Sequence, residues 1–284
     1  MTVMRTVLSV NLNKVALLRN QRDLDLPSVV RTGKICLDAG AHGLTIHPRP
    51  DERHARPHDA HDLKALIVDE RRSKPAGSHL ELNIEGNPTP EFVALVRAVR
   101  PDQCTLVPDA PDARTSDNGW DVAAHGAHLK RIASTLHDDG IRVSVFMNPD
   151  LEQIGRVPET GADRIELYTE PYAKAHASGL AKAHGGVQPM AHGGASAEAH
   201  HAAEIESVTR AYADAARKAQ SLGLGVNAGH DLNLHNLGDF CRTVPGVLEV
   251  SIGHAITADA LEMGWTNAVH AYLRALETAE GLSR

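Results

Sequence analysis

Leu37-Asp-Ala-Gly-Ala-His-Gly-Leu-Thr-Ile-His47 holds a complete structural transition: a helix end, a stop and a strand. Glycine supplies the left-handed conformation that ends a helix, and the apolar run after it suits a strand covered on both faces. The same succession returns at Leu136–Phe146, Thr160–Tyr168 and Ser221–Ala228. Repetition of this kind is the mark of βα units. Working outward predicts eight strands, near Val7–Asn11, Gly43–His47, His79–Ile84, Gln103–Val107, Arg142–Met147, Arg164–Tyr168, Gly225–Ala228 and Val247–Ile252. The clearest helix covers Ala202–Leu222, where Ile205, Val208, Tyr212, Ala215, Ala219 and Leu222 step by three and four. Eight alternating units in 284 residues favour one α/β domain, a (β/α)8 TIM barrel over residues 1–284, rather than an open doubly wound sheet. No G-x-G-x-x-G opens the first unit, so a dinucleotide fold is disfavoured.

Composition narrows the function. A net charge of -7 argues against sequence-independent nucleic-acid binding, which needs a basic face. No apolar run approaches the roughly 18 residues of a membrane helix, and Met1-Thr-Val-Met-Arg-Thr6 leads into a strand instead of a signal sequence, so the expected location is the cytoplasm. Cys36, Cys104 and Cys241 lack any C-x-x-C spacing and read as small buried hydrophobes. One segment departs from the pattern. Residues 175–201 are rich in Gly, Ala and Ser, with an Ala-His pair every eight residues that puts His176, His184, His192 and His200 in register. Little apolar surface can be buried there, so a flexible insertion after strand six is expected. Imidazoles suit metals, but a solvated insert is the favoured reading and no metal is assigned.

In a barrel the active site lies where the strands end. Asn11, His47, Glu81, Pro108, Glu166, His230 and the pair Gly253-His254 all fall on or just after predicted strands, so they are expected to converge at one mouth. The loop after His47 carries Arg49, Arg53 and His54. Imidazole changes charge near neutral pH and guanidinium makes forked bonds to phosphate oxygens, which together suit proton transfer on a phosphorylated substrate. The alternatives are ordinary: His47 as a strand cap, the arginines as a solvated loop, and Glu81 facing outward or pairing with a buried arginine.

Ser9-Val-Asn-Leu-Asn-Lys-Val-Ala-Leu-Leu-Arg-Asn20, the Thr45–His54 block, Leu106-Val-Pro-Asp109, Val226-Asn-Ala-Gly-His230 and Val250-Ser-Ile-Gly-His-Ala-Ile256 occur in this order. Together they resemble the pyridoxine 5'-phosphate synthase family over nearly the whole chain apart from the histidine-repeat insert. The resemblance implies a (β/α)8 barrel that condenses 1-deoxy-D-xylulose 5-phosphate with 3-amino-2-oxopropyl phosphate, closes the pyridine ring of vitamin B6 and releases phosphate and water. It further implies no metal, no organic cofactor and a homo-oligomer, an octamer. By the same resemblance His47 and Glu81 look like general bases and His230 like the general acid. Asn11, Arg22, Arg49, His54 and Thr115 fall on positions that contact the xylulose phosphate, while Gly253 and His254 fall on positions that hold the amino-ketone's phosphate. The chain departs from the family where Asn11-Leu-Asn-Lys14 replaces Asn-x-Asp-His, where Asp231 replaces a glycine and where Thr169-Glu170 replaces Thr-Gly. By the resemblance, Asn13, Lys14 and Asp231 fall on substrate-contact positions, with altered chemistry. Two other readings stay open: a Schiff-base aldolase using Lys14, and a phosphosugar-binding protein without catalysis.

Overall fold

The computed structural model describes residues 5–73, 75, 79–109, 116–183, 195–279 and 281. Eight parallel strands, β1 (Val7–Asn11), β2 (Gly43–Ile46), β3 (Glu81–Gly86), β4 (Gln103–Leu106), β5 (Arg142–Met147), β6 (Arg164–Leu167), β7 (Gly225–His230) and β8 (Val247–Ile252), close in chain order into a barrel. Closure is made by β8 pairing back onto β1, with Ser9 opposite Ser251. The helices around it are α1 (Asn13–Arg19), α2 (Val29–Asp38), α3 (Pro57–Ser73), α4 (Pro90–Val99), α5 (Val122–Asp138), α6 (Leu151–Arg156), α7 (Glu170–Ala183), α8 (Ala195–Ser221), α9 (Leu237–Thr243), α10 (His254–Met263) and α11 (Trp265–Ala279). Side-chain oxygens start four of them, Ser28 for α2, Thr89 for α4, Asp121 for α5 and Asp150 for α6, each accepting from a first-turn N–H that has no helical partner. Among the described residues no helix is long and apolar enough to cross a membrane.

Strand alternation divides the molecule into two media. Leu8, Val10, Leu44, Ile46, Leu82, Ile84, Val143, Val145, Ile165 and Val250 point outward against the helices and form the continuous apolar core. The inward set is polar: Ser9, Thr45, Asn83, Gln103, Thr105, Ser144, Glu166, Asn227, Glu249 and Ser251 are all buried. Burying such groups is costly without partners, and the lower layers supply them. The Ser9 and Thr45 hydroxyls lie 2.7 Å apart. Arg142 Nε donates to Gln103 Oε1 at 3.0 Å, and Arg164 Nη1 donates to Asn227 Oδ1 at 3.1 Å and to Glu249 Oε2 at 3.3 Å.

One expectation is corrected. Strand β3 starts and ends two residues later than the sequence pattern suggested, which places Glu81 at its first residue, on the barrel floor. There it pairs with Arg142, whose Nη1 donates to Glu81 Oε1 at 3.2 Å and whose Nη2 meets Oε2. The ordinary reading, partnership with an arginine, is the one realised. The segment of the expected insert is entered and left by helices, α7 running to Ala183 and α8 beginning at Ala195. Alanine-rich sequence favours helix even where it offers little to a core. His176 and His200 thus lie on helices, whereas His184 and His192 lie outside the described residues.

Candidate active site

A cavity of about 650 Å³ opens at the carboxyl end of the barrel, lined by Asn11, Asn13, Lys14, His47, Arg49, Arg53, His54, Ser116, His230, Asp231, Ser251, Gly253 and His254, with Leu17 at its edge. Of the expected site residues, Asn11, Asn13, Lys14, His47, Arg49, His54, His230, Asp231, Gly253 and His254 meet here. Glu81 is at the opposite end of its strand, and Arg22 is exposed in the turn after α1, outside the lining. Thr115 lies outside the described residues.

Local structure explains the convergence. Asn13 opens α1 and its Oδ1 accepts the His47 N–H at 2.8 Å, fixing the end of β2 against the first helix. At the other end of α1, Arg19 Nη2 and Asn20 Nδ2 donate to the His54 carbonyl at 3.3 and 2.9 Å, so one short helix holds both ends of the loop that carries Arg49 and Arg53. Arg19 is anchored in turn on buried Asp59 at 2.5 Å. Arg49 Nη1 donates to Asp109 Oδ2 at 2.9 Å, and Ser116 Oγ donates to the same oxygen at 2.9 Å. Arg49 and His47 also line a neighbouring, mostly apolar cavity of about 450 Å³ walled by Phe92, Leu95 and three prolines.

On the far side of the mouth, β8 runs through Gly253 into α10. A Cβ on Gly253 would lie 3.1 Å from Asn11 Cβ, so a larger residue would push β1 aside. The first N–H groups of α10 have no helical acceptors, and the helix dipole favours an anion there. Lys14, Arg49 and Arg53 stand opposite, with Asp231 the one carboxylate in the lining among the described residues.

Beneath the cavity sits a titratable group that sequence reading missed. Glu85, the inward residue two steps on from Asn83, is 1% exposed at the upper end of β3 and takes the place expected of Glu81. Asn11 Nδ2 donates to its Oε2 at 3.3 Å, while Oε1 has no hydrogen-bond partner among the described residues. Burial, and then the nearby Glu166 carboxylate, push the Glu85 carboxyl up to about 8. A signal existed: Glu85 directly precedes Gly86-Asn-Pro-Thr-Pro90, a turn sequence that ends the strand.

The two histidines diverge. His47 is buried, and desolvation followed by the charges of His54 and Arg49 holds its pKa well below 6.5. It is neutral at pH 7. His54 is lowered to about 4 by burial and then by Arg49 and Lys14. For His230 burial also disfavours the charge, but contact with Glu166 and the carboxyls of Glu85 and Asp231 outweigh it and raise the imidazole to about 9. Its Nδ1 is 3.6 Å from Glu166 Oε1, an ion-pair separation longer than a hydrogen bond. The site thus holds a neutral imidazole, a charged imidazole and a protonated carboxyl at pH 7. Such an arrangement can accept, donate and relay protons between two poles that attract anions. Among the described residues no group of three or more His, Cys, Asp or Glu side chains is arranged to hold a metal ion.

Comparison with known proteins follows the same lines. The family described as pyridoxal phosphate biosynthesis protein PdxJ matches residues 8–278. A pyridoxine 5'-phosphate synthase of Porphyromonas gingivalis is 46% identical over 267 residues, covering 94% of this chain and 97% of that protein. One from Cytophaga hutchinsonii is 44% identical over 272 residues, covering 96% and 99%. Among solved structures, a tryptophan synthase from M. tuberculosis matches with a TM-score of 0.57 at 11% identity, covering 99% of this chain and 94% of that one. The YdjI aldolase of Escherichia coli K12 gives 0.57 at 10% identity, covering 98% and 91%. These last two likenesses are of fold alone.

Proposed function

This chain belongs to the family of the pyridoxal phosphate biosynthesis protein PdxJ, and from that premise we propose that it is a pyridoxine 5'-phosphate synthase acting in vitamin B6 synthesis. The substrates are 1-deoxy-D-xylulose 5-phosphate and 3-amino-2-oxopropyl phosphate, and the reaction is a ring-forming condensation run by side-chain acids and bases. It uses no metal and no organic cofactor, in a cytoplasmic homo-oligomer. The observation that supports this most is the grouping of His47, Glu85 and His230 at one barrel end, between the cations of the first two βα loops and the N-terminus of α10.

Each residue then has a task set by its charge. Joining an amine to a ketone expels water, and closing the ring expels phosphate, so departing oxygens need protons and carbon acids must lose them. His230, charged at neutral pH, donates to departing oxygen. His47, neutral, removes protons from the carbon between amine and carbonyl. Glu85, with a pKa near 8, exchanges protons in both directions as its neighbours change charge. Arg49, Lys14 and His54 face the xylulose phosphate, and Gly253 with His254 receives the second phosphate at the helix end. Lys14 in place of a histidine adds permanent charge to the first subsite, and Asn13 in place of a carboxylate removes a repulsion from it.

Incubation with both substrates tests the proposal: pyridoxine 5'-phosphate and inorganic phosphate are expected in equal amounts. Adduct formation on Lys14 under borohydride, with no pyridine product, would replace it with the aldolase reading.

A further inference from the structure

His230 adopts φ +48°, a left-handed conformation that side-chain-bearing residues rarely take. The residue before it is pressed into place: a Cβ on Gly229 would lie 2.3 Å from the Ser251 carbonyl oxygen. The backbone therefore passes close against β8 and turns at once to raise the imidazole into the cavity. Something has to hold that turn.

Thr169 does so, from the end of β6. Its fully buried hydroxyl donates to the Gly229 carbonyl and, more loosely, receives the Asp231 N–H at 3.4 Å, an N–H shared with the Gly229 carbonyl at 2.8 Å. One side chain thus contacts the peptides on both sides of His230. The position of Thr169 makes this unusual. It precedes α7 and its carbonyl accepts the Ala173 N–H at 2.9 Å, so it occupies the place where a threonine hydroxyl ordinarily accepts from the second or third N–H of its own helix. Here the second residue is Pro171, which has no N–H. From α8 the Tyr212 hydroxyl donates to the Tyr168 carbonyl at 2.6 Å and so holds the peptide that enters Thr169. With no N–H on the second residue of its own helix, the threonine hydroxyl turns to β7 instead.

We infer that Thr169 is a positioning residue for His230, holding the imidazole between the Phe146 ring, at 5.3 Å between centroids, and the Glu166 carboxylate. This rests on His230 being the proton donor proposed above. Loss of the hydroxyl lets the turn relax toward an unstrained conformation, and small displacements of an acid or base are expensive in rate.

Thr169→Val keeps the shape of the side chain and removes both bonds, while Thr169→Ser keeps the hydroxyl. The Val variant is expected to lower kcat by about ten- to a hundredfold with KM for both substrates within about twofold. The Ser variant should recover most of the loss. Tyr212→Phe, at a residue outside the cavity lining, removes the bond to the Tyr168 carbonyl that holds the peptide entering Thr169 and should lower kcat in the same direction, which keeps the test in force if the Val variant does not fold. Histidine-labelled NMR reads the same change without turnover: the His230 titration should move down toward its ordinary range in Thr169→Val. Wild-type kcat and an unmoved His230 titration in both Thr169→Val and Tyr212→Phe, with His230→Asn inactive, would overturn the inference. Full activity of His230→Asn would instead remove the proton-donor reading itself.

Discussion

The Nδ1 atom of His230 lies 3.6 Å from Oε1 of Glu166, and neither oxygen of that buried carboxylate has a hydrogen-bond partner among the described residues. An unbonded carboxylate inside a barrel is expensive to bury, and a charged imidazole beside it offsets the cost. The strain of one group is thereby turned into the acidity range of the other.

Glu166→Gln removes the charge that keeps His230 protonated. The alkaline fall of kcat, expected near pH 9 in the wild type, should move down by about one pH unit or more. A profile unchanged by the substitution would show that Glu166 does not set the acid. The same coupling acts on stability. Because the folded pKa of His230 is above 6.5, its contribution is fully present below about pH 6.5 and is lost as pH rises through about 9, which thermal unfolding of wild type and Glu166→Gln at both ends of that window can measure.

Two glutamates on one strand should behave oppositely. Glu85→Gln is expected to lower kcat by about a hundredfold or more while leaving Tm nearly unchanged, since it replaces a carboxyl that is already largely protonated. Glu81→Gln should keep kcat within a few-fold of wild type and cost about 1–3 kcal/mol of stability, because it breaks the half-buried pair with Arg142. Steady-state kinetics and denaturant unfolding of the two variants settle the assignment, and a catalytic loss confined to Glu81→Gln would reverse it.

Arg49→Ala should raise KM for the xylulose phosphate more than it lowers kcat, since a phosphate clamp remote from bond making serves ground and transition states alike. Arg49→Lys is expected to recover only part of that loss, as an ammonium cannot reproduce the fork to phosphate and to Asp109 Oδ2. Equal KM increases for both substrates would show a shared role.

Thiol reactivity should follow burial. Burial pushes the Cys36 thiol up to about 12 and raises Cys104 further, whereas Cys241 is partly exposed. Iodoacetamide on the native protein is expected to modify Cys241 well before the other two, with all three reacting after denaturation. Mass spectrometry of tryptic peptides reads this directly, and early labelling of Cys36 would mean that α2 opens in solution.

The sequence by itself determined the barrel. Leu37–His47 and its repeats carry the helix stop and the strand within a few residues of each other, and such local signals survive without knowledge of the partner strand. The same locality placed His47, His230 and Gly253-His254 at strand ends, where a barrel has its mouth. Tertiary structure decided what depends on where a strand stops. Glu81, Asn83 and Glu85 share one inward face, so alternation could not separate them, and only pairing of β3 with its neighbours put Glu81 on the floor and Glu85 under the cavity. It also decided the charges. His47 and His230 are the same residue type at the same kind of position, yet one stands beside arginine and histidine and the other beside buried carboxylates, from strands far apart in the chain. A pKa is set by neighbours in space, and closing the barrel is what chose those neighbours.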